Sequence, residues 1–321
     1  MTLAAHLDAA IALHGEAQAA RGPAGALSYR ELGERAAGLA ARLRAAGIAA
    51  DEPVPVLVGN APEDLAALLA VWRVGAVAVP IHRSSLPASL DALLAATGAR
   101  CTLDALRGDP LATLDRPAPP PRALLEGAAL VIFTSGSTGA PKGVVLAHDR
   151  FAAKLAAIDA RLAFAPAERV LLVLNITFVF GLWVALLTLL RGGTLVMRGR
   201  FETAGFLATL ADERIDRVAV VPTMMRALFA ALTDAELAAA AVRPGAAGRP
   251  RVIMIGGESL GASLAARIRA ALPASRLVDI YGLTETSACD FYLLPEDHPE
   301  FSGCIGRVAP GERHRIVAPD G

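Results

Sequence analysis

The densest group of chemically active side chains lies between Thr134 and Gly143, where the sequence reads TSGSTGAPKG. This stretch holds four hydroxyl side chains, three glycines and Lys142, and the segments on either side of it are typical of buried strands. Glycines let a backbone turn with its N–H groups facing inward, hydroxyls donate to phosphate oxygens, and lysine supplies a positive charge. The pattern therefore predicts a polyphosphate-binding loop.

Two other interpretations of this loop are weaker. A flexible Gly/Ser connector has a similar composition, but it has no fixed residue order and no reason to carry one of only two lysines in the chain, Lys142 and Lys154. The GxxxxGK[ST] nucleotide loop does not match either, because Gly143 follows the lysine where serine or threonine is required. A kinase or GTPase is therefore disfavoured.

Helix and strand patterns alternate on both sides of the loop. A capping box formed by Ser28 and Glu31 predicts a helix that ends near Ala46, and Asp149 is predicted to cap a helix that ends near Leu162. Residues 107–122 contain five prolines and are predicted to be irregular. The remaining segments predict strands at 53–58, 77–81, 128–134, 143–146, 170–174, 194–197 and 217–221, with helices between most of them. This alternation predicts a mostly parallel α/β sheet.

Composition excludes several classes of protein. The 31 basic and 31 acidic residues cancel, so no net charge attracts the chain to nucleic acid. Three widely spaced cysteines indicate neither a disulfide framework nor a zinc site, and the N-terminus lacks the basic region of a signal peptide. These features predict a cytoplasmic protein.

The uncharged segment Val170–Leu190 could in principle span a membrane. Asn175 and Thr177 interrupt it, and Gly181 precedes a separate helical stretch. We therefore predict a buried strand, a loop and a buried helix here, and no membrane span.

Every fixed position of the loop matches the TSGSTGxPKG signature of the acyl-adenylate-forming (AMP-binding) superfamily, which the chain resembles. Further segments resemble family motifs in the same order, and the resemblance covers residues 25–321: LSYREL at 27–32, residues 70–80, GGE at 256–258, YGLTE at 281–285 and GCIGR at 303–307. The likeness is to acyl- and aryl-CoA ligases, and to their N-terminal large domain.

The resemblance implies two stacked α/β subdomains with mostly parallel sheets, followed by the start of a small β-barrel subdomain. Residues 1–165 would form the first subdomain, including the phosphate loop at 134–143. Residues 166–290 would form the second, with the adenine and magnesium motifs, and residues 291–321 would begin the β subdomain.

In function, the resemblance implies that ATP activates a carboxylic acid as an acyl-adenylate with release of pyrophosphate, and that the thiol of CoA or of a carrier protein then takes the acyl group. Thr284 and Glu285 would be catalytic, with Glu285 a ligand of Mg²⁺, an ion that prefers oxygen donors. An ordinary helix cap remains another interpretation of these two residues. ATP would be bound by Thr134, Ser135, Gly136, Ser137, Thr138, Gly139, Lys142, Gly256, Gly257, Glu258, Tyr281 and Gly282.

The acid-binding residues are less well defined. Phe178 would gate the path of the carboxylate, although core packing explains an aromatic residue there equally well. Trp183, Ala288 and Cys289 could line an acyl or aryl pocket. Peptide-synthetase adenylation domains place an aspartate near this Phe178 position, and its absence favours an acid other than an amino acid.

Ser259 follows GGE in a pattern that also resembles the phosphopantetheine serine of acyl-carrier domains, but those are small helical bundles and this serine follows a strand. His148 is interpreted as a partner for a nearby backbone group and not as a base.

Family members continue beyond the position of Gly321 into a small C-terminal domain that carries a catalytic lysine. We expect this chain to be poorly active alone. Its possible partners are such a C-terminal domain, supplied in trans, or an acyl-carrier protein. A nucleotide- or acid-binding module without catalysis remains the alternative.

Overall fold

A computed structural model of the chain describes residues 2–134, 142–233 and 251–317. Its internal contacts divide the chain into two units, Met1–Phe201 and Glu202–Gly321. The predicted subdomain boundaries after residues 165 and 290 stay predictions.

The first unit alternates helices and strands. Its helices are α1 (Leu3–His14), α2 (Tyr29–Ala45), α3 (Pro62–Arg73), α4 (Pro87–Thr97), α5 (His148–Leu162) and α6 (Val179–Leu190). Its strands are β1 (Gln18–Gly22), β2 (Gly25–Ser28), β3 (Pro53–Val58), β4 (Val77–His82), β5 (Cys101–Leu103), β6 (Leu111–Thr113), β7 (Ala128–Thr134), β8 (Lys142–Ala147), β9 (Arg169–Leu172) and β10 (Thr194–Met197).

Two sheets organise these strands. One has the order β6-β5-β3-β4-β7-β8, in which β5, β3, β4 and β7 are parallel and the two outer strands are antiparallel. In the other, β1, β10 and β9 are parallel and β2 pairs antiparallel with β1. Helix α3 packs against the first of these sheets, where the indole Nε1 of Trp72 donates to the Ala129 carbonyl oxygen at 2.8 Å.

The second unit is built in the same way around three parallel strands. Strands β11 (Arg217–Val220), β12 (Val252–Gly256) and β13 (Arg276–Tyr281) are parallel, and β14 (Phe291–Leu293) and β15 (Arg307–Val308) continue antiparallel. The helices described here are α7 (Thr203–Asp212), α8 (Pro222–Ala231), α9 (Ala262–Ala271) and α10 (His298–Phe301). The predicted α/β class with mostly parallel sheets is confirmed. The described residues contain no closed barrel, and the predicted start of one rests on β14 and β15 alone.

Local predictions had mixed outcomes. The capping box is confirmed, because the Glu31 N–H donates to Ser28 Oγ at 3.1 Å and the Ser28 N–H donates to Glu31 Oε2 at 2.7 Å. The predicted Asp149 cap is wrong: α5 begins at His148 after Ala147, and the Asp149 carboxylate accepts from the Arg150 N–H. His148 Nδ1 accepts from the Leu3 N–H at 3.2 Å, as expected of a backbone partner.

The proline-rich segment is less irregular than predicted. Within residues 107–122, β6 pairs antiparallel with β5, so that Leu111 lies opposite Leu103. A short run without prolines thus obtains the hydrogen bonds of a strand from its neighbour.

The segment Val170–Leu190 folds as predicted, into a strand, a loop and a helix. The helix, α6, begins at Val179, two residues before Gly181. Among the residues that the structure describes, none of the helices has the length and apolar character needed to cross a bilayer.

Candidate functional site

A cavity of about 300 Å³ opens in the second unit where two neighbouring parallel strands end. Gly256 and Ile280 are register partners on β12 and β13, so the loops that follow the two strands begin side by side. The carboxyl ends of parallel strands are the usual position of ligand sites in α/β sheets. The cavity is lined by Gly257, Glu258, Ser259, Leu260, Gly261, Asp279, Ile280, Tyr281, Gly282, Leu283, Gly303, Cys304 and Ile305.

The walls of this cavity suit a flat apolar ring. Tyr281, Leu283 and Ile305 leave 43%, 48% and 46% of their surfaces exposed, an unusual amount for large apolar residues around one cavity. The Tyr281 ring meets the edge of Phe291 at a centroid distance of 6.0 Å, which limits its orientation. On the other strand, Gly257 has φ of +83°, a conformation that favours glycine and brings bare backbone to the cavity.

Asp279 lines the same cavity and lies outside the sequence motifs described above. Burial raises the pKa of its carboxyl from 3.8 to about 6, and a hydrogen bond from the Ile280 N–H partly opposes this change. Residues i and i+2 of a strand share a face, so the position of Asp279 two residues before Tyr281 was a readable signal. It places a hydrogen-bonding group beside the apolar surfaces of Tyr281, Leu283 and Ile305.

Glu258 is held in place by helix α8. Its carboxylate accepts from Thr223 Oγ1 at 2.6 Å and from Arg226 Nη1 at 3.2 Å, and Arg226 Nη2 also donates to the Ser259 carbonyl oxygen at 3.3 Å. Thr223 and Arg226 thus fix the loop that forms one wall of the cavity. No local motif marked them, because they lie more than 30 residues from Glu258 in sequence, at separations of 35 and 32.

The Thr284–Glu285 pair lies just beyond this cavity, on a single turn of 3₁₀ helix, Thr284–Thr286. The Glu285 side chain is exposed, so its oxygens are available to a ligand. The chain reaches this turn through Gly282, where a Cβ atom would lie 2.2 Å from the Cys289 backbone nitrogen. Only glycine permits so close an approach of the two backbone segments.

The chain leaves the turn in a strained conformation. Ser287, Ala288 and Cys289 have φ of +66°, +72° and +58°, three consecutive non-glycine residues in the left-handed region. Each costs on the order of 1–2 kcal/mol relative to ordinary backbone. All three are buried, so the predicted substrate residues Ala288 and Cys289 form the rigid base of the turn that carries Glu285. Strain of this kind is concentrated at functional sites.

The donor set of the turn fits Mg²⁺. Across residues 2–134, 142–233 and 251–317 no group of three or more His, Cys, Asp or Glu side chains could enclose a metal ion. Mg²⁺ commonly binds one or two carboxylates together with water and substrate phosphates, and does not need an all-protein cage. A single exposed carboxylate, that of Glu285, is consistent with this mode of binding.

The two ends of the predicted phosphate loop lie in the first unit. Thr134 on β7 and Lys142 on β8 are register partners, so the strands bring them opposite each other. Lys142 is exposed, and β7 runs parallel to β4, which puts the loop at the carboxyl end of a parallel strand. The loop residues Ser135, Gly136, Ser137, Thr138 and Gly139 lie outside the described residues.

The two aromatic residues predicted near the acid differ in environment. Phe178 directly precedes α6 and is 63% exposed, so its ring is free to meet a ligand. Trp183 is completely buried, stacked on Phe180 at 5.3 Å and edge-on to Phe164 at 6.3 Å. Trp183 therefore packs in the core of the first unit.

In sum, the structure brings Gly257, Glu258, Tyr281 and Gly282 around one cavity, with Gly256 at the end of β12 beside it. Thr284 and Glu285 follow directly in the chain. The ligand-binding and catalytic roles of these residues stay predictions.

Comparison with known proteins identifies the family. The family model described as AMP-binding enzyme matches residues 7–321. A feruloyl-CoA synthase from Amycolatopsis sp is 33% identical over 283 residues, which cover 82% of this chain and 55% of that protein. A medium/long-chain-fatty-acid–[acyl-carrier-protein] ligase, FadD10 of Mycobacterium tuberculosis, is 29% identical over 332 residues, which cover 92% of this chain and 59% of that protein. The chain thus spans little more than half the length of these relatives.

The fold also matches solved structures. The N-terminal domain of FACL13 from Mycobacterium tuberculosis superposes with a TM-score of 0.81 at 22% identity, covering 96% of this chain and 82% of that domain. The chain belongs to the AMP-binding enzyme family.

Proposed function

We propose that the chain carries the adenylation site of an acid–thiol ligase. A carboxylate oxygen of the substrate attacks the α-phosphorus of ATP, the bond from that phosphorus to the β-bridging oxygen breaks, and pyrophosphate leaves. The sulfur of a thiol then attacks the acyl carbonyl, the thiol proton is lost, and AMP departs with its electron pair. The products are a thioester, AMP and pyrophosphate.

The cavity at the ends of β12 and β13 carries this proposal. It combines the apolar surfaces of Tyr281, Leu283 and Ile305 with two carboxylates, Glu258 and Asp279. The exposed Glu285 follows within the loop after Tyr281. A purine base fits the cavity, and a magnesium-bound phosphate fits the exposed carboxylate. The reaction requires both of these components of MgATP.

The residues of the chain act by positioning and by charge. Lys142, with the hydroxyls of the loop that begins at Thr134, would hold the β- and γ-phosphates. Thr284 would donate to the α-phosphate, where negative charge develops in the transition state. Mg²⁺, when bound at Glu285, would supply neutralisation of phosphate charge.

The substrate we propose is an aryl or fatty carboxylic acid. The relatives named above include a feruloyl-CoA synthase and a fatty-acid ligase that loads an acyl-carrier protein, so both CoA and a carrier protein are candidate thiols. The exposed ring of Phe178 would contact the acid. We further propose that a family C-terminal domain supplied in trans raises activity.

Exchange of labelled pyrophosphate into ATP tests the proposal. The chain would be assayed with ferulic acid, a long-chain fatty acid and an amino acid, each with and without an added family C-terminal domain. We expect exchange with one of the first two acids, and a loss of at least about tenfold in Lys142→Met. Lys154→Met, which alters the other lysine of the chain, is the matched control and should exchange as the wild type does.

Binding measured by calorimetry separates the alternatives. A chain that binds ATP but catalyses no exchange with any acid, even when the C-terminal domain is added, would be a nucleotide-binding module and not a ligase.

A further inference from the structure

Asp290 lies at the base of the turn that carries Glu285. The residue is only 7% exposed, and its Oδ2 accepts two hydrogen bonds from the segment Leu283–Thr286. One comes from the Leu283 N–H at 3.2 Å and the other from Thr286 Oγ1 at 2.5 Å. These donors immediately flank Thr284 and Glu285. A single carboxylate is therefore hydrogen-bonded to the residues on both sides of the pair.

The backbone of Asp290 fixes the same loop to the sheet. Its N–H donates to the Tyr281 carbonyl oxygen at 2.8 Å, and its carbonyl oxygen accepts from the Ala309 N–H at 2.7 Å. The loop of residues 282–289 is therefore closed at its base. The left-handed residues Ser287–Cys289 connect the turn to this anchor and leave it little freedom to relax.

We propose that Asp290 is a positioning residue for metal-assisted binding of ATP. It holds the Thr284–Thr286 turn in the conformation that presents the Glu285 carboxylate to Mg²⁺. This inference rests on the proposed function. A carboxylate suits the task better than an amide, because a charged acceptor binds two donors more strongly.

A purely structural role for Asp290 would have a different signature. Loss of fold stability would weaken ATP binding equally with and without metal. A positioning role concentrates the damage in the component of binding that depends on Mg²⁺, because Asp279 and Tyr281 of the ring site lie on β13, before the turn begins.

The test compares dissociation constants for ATP by calorimetry, in Mg²⁺ and in EDTA, for the wild type, Asp290→Asn and Asp297→Asn. Asp297 is the matched control: it is 9% exposed, lies in the same unit and pairs with Arg307 at 3.0 Å. We expect Mg²⁺ to tighten ATP binding by the wild type and by Asp297→Asn. The gain is the dissociation constant for ATP in EDTA divided by that in Mg²⁺. In Asp290→Asn this ratio should be about tenfold smaller than in the wild type, as for other residues that orient a metal ligand. The dissociation constant in EDTA should stay within about twofold of the wild-type value.

A second pair of variants covers the case in which Asp290→Asn does not fold. Thr286→Val removes the hydroxyl that donates to Asp290 and also contacts the Leu283 backbone, and it should lose part of the gain from Mg²⁺. Thr286→Ser keeps the hydroxyl and should retain the gain. Full retention of the gain in Asp290→Asn or in Thr286→Val overturns the inference, and so does a wild type whose ATP affinity is indifferent to Mg²⁺. A wild type that binds no ATP at all contradicts the proposed function itself.

Discussion

The side-chain amide of Asn60 donates a hydrogen bond to the carbonyl oxygen of Leu174 at 2.8 Å. The Asn60 Oδ1 atom accepts from the Ile176 N–H at 3.1 Å. One buried side chain thus bonds both a backbone carbonyl and a backbone N–H of the segment that leads to Phe178. Asn60 has φ of +62°, a conformation that asparagine tolerates better than most residues. The loop after β3 thereby fixes the segment proposed to meet the acid.

Replacing Asn60 should therefore weaken binding of the acid more than binding of ATP. Asn60→Gly keeps the left-handed backbone but leaves the Leu174 carbonyl and the Ile176 N–H without a side-chain partner. We expect a loss of about 1–3 kcal/mol in the free energy of unfolding, measured in urea, because buried polar groups lose their partners. In pyrophosphate exchange, KM for the acid should rise several-fold while KM for ATP stays constant.

Ala167→Gly is the control, because Ala167 is an exposed residue with φ of +60°. It should leave both KM values unchanged. Equal rises in the two KM values of Asn60→Gly would argue against a specific role for Asn60 at the acid.

Gly282 should tolerate no side chain. A Cβ atom there would lie 2.2 Å from the Cys289 nitrogen and 2.7 Å from the Ala288 carbonyl carbon, both of them backbone atoms. Gly282→Ala should cost about 3 kcal/mol or more in the free energy of unfolding, because backbone cannot move aside as a side chain can.

Gly205→Ala in α7 supplies the contrast for this experiment. Apart from its chain neighbours and the adjacent backbone of its own helix, no atom lies within 4 Å of a Cβ at Gly205, and alanine in a helix should stabilise the protein by about 0.5–1 kcal/mol. Thermal unfolding of the two variants in parallel tests both values, and a Gly282→Ala protein as stable as the wild type would show that the close approach is not required.

Residue types within a few positions of one another were enough to locate the main parts of the candidate site. Gly257 and Tyr281 were identified from short motifs, and the structure places both around one cavity. Asn60 could not be identified in this way, because its partner Leu174 is 114 residues away and asparagine in a loop has many ordinary explanations. Asp290 was also missed, because its role depends on the path of the strained loop.

The fold shows the same limit. The strand β1, with the sequence QAARG, has none of the β-branched or aromatic residues that favour strands, and it was not predicted. It forms because β10 and β2 pair with it on both sides. Tertiary pairing here overrides a weak local preference.

The contact between Glu258 and Arg226 should contribute to ATP binding and contribute little to the free energy of unfolding. Both side chains are substantially exposed, at 38% and 51%, and exposed ion pairs contribute at most about 1 kcal/mol. Because Arg226 also donates to the Ser259 carbonyl oxygen, Arg226→Ala should loosen the cavity wall and raise KM for ATP several-fold.

Arg35→Ala is the matched control, since it breaks another exposed pair, that with Glu63 at 2.9 Å. It should leave KM for ATP unchanged. If Arg226→Ala and Arg35→Ala give the same KM, the proposed support of the loop by Arg226 is wrong.

Asp279 should make stability depend on pH in a defined range. Burial raises the pKa of its carboxyl from 3.8 to about 6, so the folded state binds the proton more tightly than the unfolded chain does. The contribution of Asp279 to stability is therefore complete below about pH 4 and is lost as the pH rises through about 6. Asp279→Asn removes this titration but keeps an oxygen that can accept from the Ile280 N–H.

The measurement is the free energy of unfolding of the wild type minus that of Asp279→Asn, determined in urea at intervals between about pH 4 and pH 7. The subtraction cancels the pH-dependent contributions of the carboxylates that both proteins share. We expect this difference to fall as the pH rises and to level off above about pH 6.5, where Asp279 is ionised in both states. A constant difference would mean that the Asp279 carboxyl titrates alike in the folded and unfolded chain and is not perturbed by the cavity. A decline in this range would show that the cavity disfavours the charged carboxylate when empty, so that a ligand able to donate a hydrogen bond to it would be bound more tightly above pH 6.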